Sequence, residues 1–150
     1  AELVKRKGIK CLVIDPYNKV RDMHAMSDDV NRYTMDYLSK IEQFCKKYDV
    51  LTFIVAHPTK MYKGQDGKME EPNMYNIKGG GEWYDASYHG LLVHRDYEAK
   101  NTKVKVLKVK FQNLGENGAE CFFTWEPKSG SYIPQLNVLD KDVSGLPWEN

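Results

Sequence analysis

The sequence predicts an α/β domain in which parallel strands joined by crossover helices lead into an antiparallel hairpin. Three observations point there. Two short, continuous apolar runs, "IKCLVID" and "VLTFIVAH", flank a long segment whose apolar residues recur at helical spacing. That order, strand then helix then strand, is a parallel crossover unit. In the last third of the chain the pattern changes to strict apolar–polar alternation, the mark of half-exposed antiparallel strands.

Taken in order, "AELVKRKGIKC" is charged and reads as a helix end entering a strand, as if the chain begins partway through a domain. It lacks the apolar core of a secretory leader. Ile9 to Asp15 then forms an apolar run after Gly8 and before Pro16, suited to a strand buried on both faces. Ser27, with Asp28 and Asp29 behind it, is a good helix start, since acids favour the positive end of the helix dipole. Val30, Tyr33, Tyr37, Leu38, Ile41, Phe44, Cys45 and Tyr48 carry the helical period onward, and Lys46 and Lys47 suit its C-terminal end. Val50 to His57 is a second buried strand. A long, lysine-dotted stretch follows, then a short helical turn from Glu82 to Ser87, then a third buried strand over Gly90 to Arg95. "TKVKVLKVKF" and "AECFFTWE" alternate about the turn "NLGENG". The tail from Pro134 to Asn150 is turn-rich and receives no element.

The composition bounds the function classes. The chain has 150 residues, 41% hydrophobic and 29% charged, with a formal net charge of +1. Bulk charge therefore predicts no partner, and any nucleic-acid site must be built locally. No apolar run is long enough to span a bilayer. The three cysteines, Cys11, Cys45 and Cys121, lie far apart and read as buried structural thiols in a reducing cytoplasm. His24, His57, His89 and His94 have no metal-site spacing, which argues against a zinc enzyme.

Open α/β sheets bind ligands at the carboxyl ends of their parallel strands. Asp15, His57 and Arg95 stand at those three predicted ends, so three polar groups of the kinds that handle phosphate and metal converge on one rim. Each has a plain alternative. "CLVID" has the form of a Walker B strand, whose carboxylate holds the magnesium of a nucleotide, or is a strand-ending Asp capping a turn before Pro16. His57 is a phosphate-facing group or a structural histidine. Lys60, Lys63 and Lys68 punctuate a stretch with Gly64 and Gly67; they can meet successive phosphates of a single strand, or form a solvated loop that Asp66, Glu70 and Glu71 partly neutralise. "KGGGEWYD", from Lys78 through Gly79, Gly80 and Gly81, lacks the spacing of a phosphate-binding loop, but its glycines permit close backbone approach. Lys108 and Lys110 are two apart on a strand and project from the same face, as Val104 and Val106 do. They face a polar target or simply solubilise a strand end.

In this order the motifs resemble the second half of the RecA-like, P-loop NTPase core of DnaB-type hexameric replicative helicases, in the branch holding Twinkle and the phage primase–helicases. "CLVID" is similar to the Walker B strand, "LTFIVAHPTK" to the third motif, "IKGGGEWYDASYHGLLVHRD" to the fourth, and "VLKVKFQNLGENG" to the strand that carries a Lys-x-Arg-Phe pattern. The resemblance runs from about Ile9 to Ile133, so residues 1–133 read as a partial helicase ATPase domain and 134–150 as a C-terminal tail. It implies ATP or another NTP with Mg2+ as cofactors, and single-stranded DNA and a homo-hexameric ring as partners. Asp15 would hold magnesium, His57 would sense the γ-phosphate, and Arg95 would help bind nucleotide. Lys60, Lys63, Lys68 and the Lys78–Gly81 turn would line a DNA channel, with Lys108 and Lys110 reaching a neighbour's nucleotide as an arginine finger does. Two departures stand out: Lys110 replaces an arginine, losing the bidentate fork, so either Lys110 is a weaker finger or Arg95 or another residue takes that role, and no Walker A sequence or catalytic glutamate is present. The expectation is a C-terminal helicase fragment, inactive as a hydrolase by itself, with an exposed sheet edge. The alternatives are a recombinase or clock-type RecA ATPase, a non-catalytic binding or oligomerisation module derived from one, and, more remotely, a nuclease.

Overall fold

The computed structural model describes residues 1–20, 29–61, 70–97 and 99–135. The chain divides into two compact units, Ala1–Gly90 and Leu91–Asn150. In the first, a short helix α1 (Glu2–Lys7) leads into strand β1 (Cys11–Ile14), and the Asp15–Pro16 peptide that follows is cis. A single turn, α2 (Tyr17–Val20), precedes the long helix α3 (Val30–Tyr48), which returns the chain to β2 (Leu51–Ile54). The two strands pair in parallel, Cys11 opposite Leu51 through Ile14 opposite Ile54, so the predicted crossover unit is present.

α3 begins at Val30 with Asp29, rather than the expected Ser27, as its N-cap. The Asp29 carboxylate accepts the Arg32 N–H at 2.9 Å, satisfying one of the donors a helix start leaves unpaired. It ends at Asp49, which takes a left-handed conformation (φ 51) while its carboxylate binds the Lys10 ammonium at 2.8 Å. That hydrogen bond and charge hold the exposed Asp49 carboxyl below its ordinary value. Ser27 and Asp28 lie outside the described residues.

The parallel pair departs from expectation on one point. Its strands were read as buried on both faces, but α3 covers only one, where the Cys45 thiol lies 3.1 Å from the Thr52 hydroxyl. On the other face Val13, Leu51, Phe53 and Val55 are exposed. An apolar run alone does not distinguish a strand covered twice from one covered once.

The core of this unit lies instead between α3 and the helix α4 (Gly80–Ala86). Tyr17, fully buried, stands between Tyr37 of α3 (centroids 5.1 Å, edge-on) and Trp83 of α4 (4.8 Å, edge-on). Each such pair adds about 0.5–1.5 kcal/mol to its area burial. Burial, with Tyr17 and Tyr33 adding to it, pushes the Tyr37 phenol above its ordinary value.

The second unit corrects the reading of the third strand and of the hairpin. β3 (His89–Asp96) lies beside β4 (Asn101–Val109) in a four-stranded sheet of order β3-β4-β5-β6, not in the parallel pair. Its apolar Leu91 and Val93 are exposed rather than buried. β5 (Glu120–Glu126) pairs antiparallel with β4 and with β6 (Ser131–Gln135), so the predicted hairpin is part of a larger antiparallel sheet. The alternation sorts its faces. Thr102 opposes Phe123 and Val104 opposes Cys121 on an apolar side, where Val93 and Tyr132 also line a shallow hollow. On the reverse side Lys103 and Lys105 share the Glu120 carboxylate at 3.5 and 3.0 Å. β6 carries the fold two residues past Ile133, and residues 136–150 lie outside the described part.

Candidate functional site

Asp15 and His57 occupy the same rim. Asp15 follows the last residue of β1 and stands level with Val55, whose N–H donates to the Ile14 carbonyl at 2.8 Å and whose own carbonyl accepts from Tyr17 N at 2.8 Å. The Tyr17 ring, locked between Tyr37 and Trp83, therefore anchors the chain just beyond Asp15. Both Asp15 and His57 are exposed at this edge. Magnesium binds through one or two carboxylates, with phosphates and water completing its shell. Among the described residues no group of three or more His, Cys, Asp or Glu could hold a metal ion by itself. A lone carboxylate such as Asp15 could give a metal one oxygen, the remaining ligands coming from elsewhere.

Just past His57 the chain pairs with the segment that leads into the glycines. Pro58 forms an antiparallel bridge with Ile77, and Thr59 N donates to the Asn76 carbonyl at 2.7 Å. The segment before the glycines is fixed by a reciprocal cap: Asn73 accepts from Tyr75 N at 2.9 Å while Asn76 accepts from Asn73 N at 2.7 Å. The Trp83 indole then donates to the Lys78 carbonyl at 3.1 Å. Lys60 and Lys78, both exposed, are therefore carried on backbone segments hydrogen-bonded to each other. Lys63 and Lys68 lie outside the described residues.

The three glycines have different reasons. At Gly79 (φ +96) a Cβ would sit 2.5 Å from the Thr34 hydroxyl, so the close approach inferred from sequence is met inside the fold, by helix α3. At Gly80 (φ +24) a Cβ would lie 3.3 Å from the Tyr75 carbonyl oxygen, while a Cβ at Gly81 would meet open space. Of the three, only Gly81 leaves its surface open to a ligand.

The remaining predicted residues belong to the second unit. Arg95 is exposed and its guanidinium lies over the Tyr97 ring at 5.2 Å. β3 belongs to the four-stranded sheet, so Arg95 stands on a different sheet from Asp15 and His57. Lys108 is half-buried in β4, and Lys110 is exposed just past its end. Tyr17, Thr34, Tyr75 and Trp83 escaped the sequence reading. The signal for Trp83 was its position, four residues after Gly79 in a segment already singled out, but its partners are distant in the chain.

No family model matches the chain. It is 28% identical over 134 residues to the Twinkle homolog protein, chloroplastic/mitochondrial, of Arabidopsis thaliana, a match covering 86% of this chain and 18% of that protein. The chain thus spans about a fifth of the length of this curated relative. The relation to Twinkle is distant, and the mixed α/β architecture is compatible with part of a RecA-like domain. No described helix is long and apolar enough to cross a membrane. The relative's name places that protein in chloroplasts and mitochondria, which lends the expected cytoplasmic location no support.

Proposed function

We propose that this chain is the segment, from Walker B onward, of an NTP-driven DNA helicase of the Twinkle kind, coupling hydrolysis of ATP or another NTP to movement on single-stranded DNA within a hexameric ring. The observation that carries the reading is the continuity between two edges: Asp15 and His57 share one strand rim, and the chain leaving His57 is hydrogen-bonded at Thr59 to the segment bearing Lys78 and Gly81. A group that registers a phosphate at His57 would move this backbone as one piece. The distant likeness to Twinkle supports the same reading.

In this account Asp15 holds one ligand position of a nucleotide-borne magnesium, whose chemistry when bound is to offset charge on the phosphates. His57 contacts the terminal phosphate. Lys60, with Lys63 and Lys68, contacts DNA phosphates, and Lys78 and Gly81 form the adjoining wall. Lys108 and Lys110 serve a neighbouring subunit's nucleotide, with lysine giving charge but no bidentate fork. Arg95 binds nucleotide.

The test is salt-dependent binding of a single-stranded oligonucleotide by the full-length protein. Changing Lys60, Lys63 and Lys68 together to alanine removes up to three phosphate contacts, so the slope of log affinity against log salt falls by about 2 at the single-strand value of roughly 0.7 per contact. An unchanged slope and affinity would overturn the loop assignment.

A further inference from the structure

We infer that Tyr75 is a stacking platform for a base of single-stranded DNA at the glycine-rich turn, an inference that rests on the DNA-binding reading above. Tyr75 is 58% exposed, yet its position is tightly fixed. One ring face stacks on Tyr84, centroids 5.2 Å apart and planes 19° from parallel, and the residue stays 58% exposed despite that contact. Its N–H is held by the Asn73 carboxamide, and its carbonyl lies against Gly80, where any side chain would crowd it. The following residue, Asn76, accepts the Thr59 N–H of the His57 strand.

A large ring held rigid and exposed is costly to keep in water and cheap to use, because little side-chain freedom remains to be lost when something stacks on it. The chemistry nearby indicates what would stack. Lys78 lies three residues on, and Lys60 follows Thr59, whose N–H donates to the Asn76 carbonyl, so two exposed lysines suited to a phosphate backbone are carried on the backbone segments next to Tyr75. Aromatic platforms beside a positively charged track bind unpaired bases with little sequence preference, since every base has a π-face. Lysines alone would hold the backbone; Tyr75 adds a contact to the base.

The experiment compares oligo(dT) with an abasic oligomer of equal length, binding each to the full-length protein by fluorescence anisotropy across a salt series. Tyr75→Ala should weaken oligo(dT) about 5- to 150-fold, the range a stacked base contributes. It should leave abasic affinity and both salt slopes unchanged, because no phosphate contact is lost. Tyr75→Trp should restore oligo(dT) binding. Lys78→Ala should instead weaken both oligomers alike and flatten both slopes. If Tyr75→Ala changes neither oligomer while Lys78→Ala weakens both, the stacking role is wrong and the DNA reading stands. Equal weakening of both oligomers by Tyr75→Ala would make Tyr75 a support for the turn and overturn the inference. A wild-type protein that binds neither oligomer overturns both readings together.

Discussion

Replacing Gly79 with alanine puts a methyl group where helix α3 already has an atom. The new Cβ would lie 2.5 Å from the Thr34 hydroxyl and 3.0 Å from both Thr34 Cβ and Cγ2. Thr34 has nowhere to go: it is fully buried on α3, and its hydroxyl donates to the Val30 carbonyl at 2.8 Å. Two costs add. Forcing a side chain into φ +96 costs about 1–2 kcal/mol, and overpacking a filled site costs roughly 1–3 kcal/mol. The sum, about 2–5 kcal/mol, lowers the urea midpoint by on the order of 1–2 M at an ordinary m-value. Circular dichroism during urea unfolding reads this directly. Thr34→Ala in the same chain removes Oγ1 and Cγ2 but not Cβ, so the double variant should recover most of the packing cost and none of the dihedral cost. A Gly79→Ala effect below about 0.5 kcal/mol, or simple additivity with Thr34→Ala, would refute the packing argument.

Gly81→Ala should behave oppositely, since its Cβ meets open space in the first turn of α4: stability holds or rises by up to about 1 kcal/mol through helix propensity, whereas single-strand affinity falls if DNA approaches there. Trp83→Phe keeps the ring between the helices but strips the Lys78 carbonyl of its donor, and should cost about 1–2 kcal/mol in urea unfolding, against about 3–5 for Trp83→Ala. Because burial favours the neutral Tyr37 phenol, its folded pKa lies above the unfolded value; the stability it contributes is complete below that unfolded value and is lost as pH rises through the folded one. Tyrosinate absorbance should therefore show a late-titrating component that Tyr37→Phe reduces. Asp49 has the reverse sign: its folded pKa is lowered, so its contribution is present above the unfolded carboxyl value and fades as pH falls through the folded one, and Lys10→Ala should erase that acid-limb difference.

The legible parts of the fold were those whose signals are local. α3 announces itself through an unbroken helical period, although its cap is Asp29 and not Ser27, and β4 and β5 do so through alternation that the observed faces reproduce, with Thr102 and Val104 on one side and Lys103 and Lys105 on the other. β3 was misplaced because "LLV" reads as a twice-covered strand, whereas Leu91 and Val93 are exposed. β6 was missed because Pro134 disfavours a central strand; among the described residues β6 is the terminal strand of the sheet, where proline is tolerated. At the candidate site, Asp15, His57 and the lysines stood out by chemistry. The residues that fix their backbone did not, because Tyr17, Tyr37 and Trp83 meet only after the chain has folded, and no spacing in the sequence records a contact between residues 17 and 83.

The central claim is that the Asp15–His57 rim governs hydrolysis that DNA stimulates through the connected turn. The most direct measurement is NTP hydrolysis by the full-length protein, with and without single-stranded DNA, for wild type, Asp15→Asn and His57→Ala. The account predicts that Asp15→Asn lowers hydrolysis by about a hundredfold or more under both conditions, the scale of losing one transition-state electrostatic contact. It also predicts that His57→Ala abolishes the DNA-stimulated increment while leaving DNA affinity in place. Wild-type rates and undiminished stimulation in both variants would contradict it.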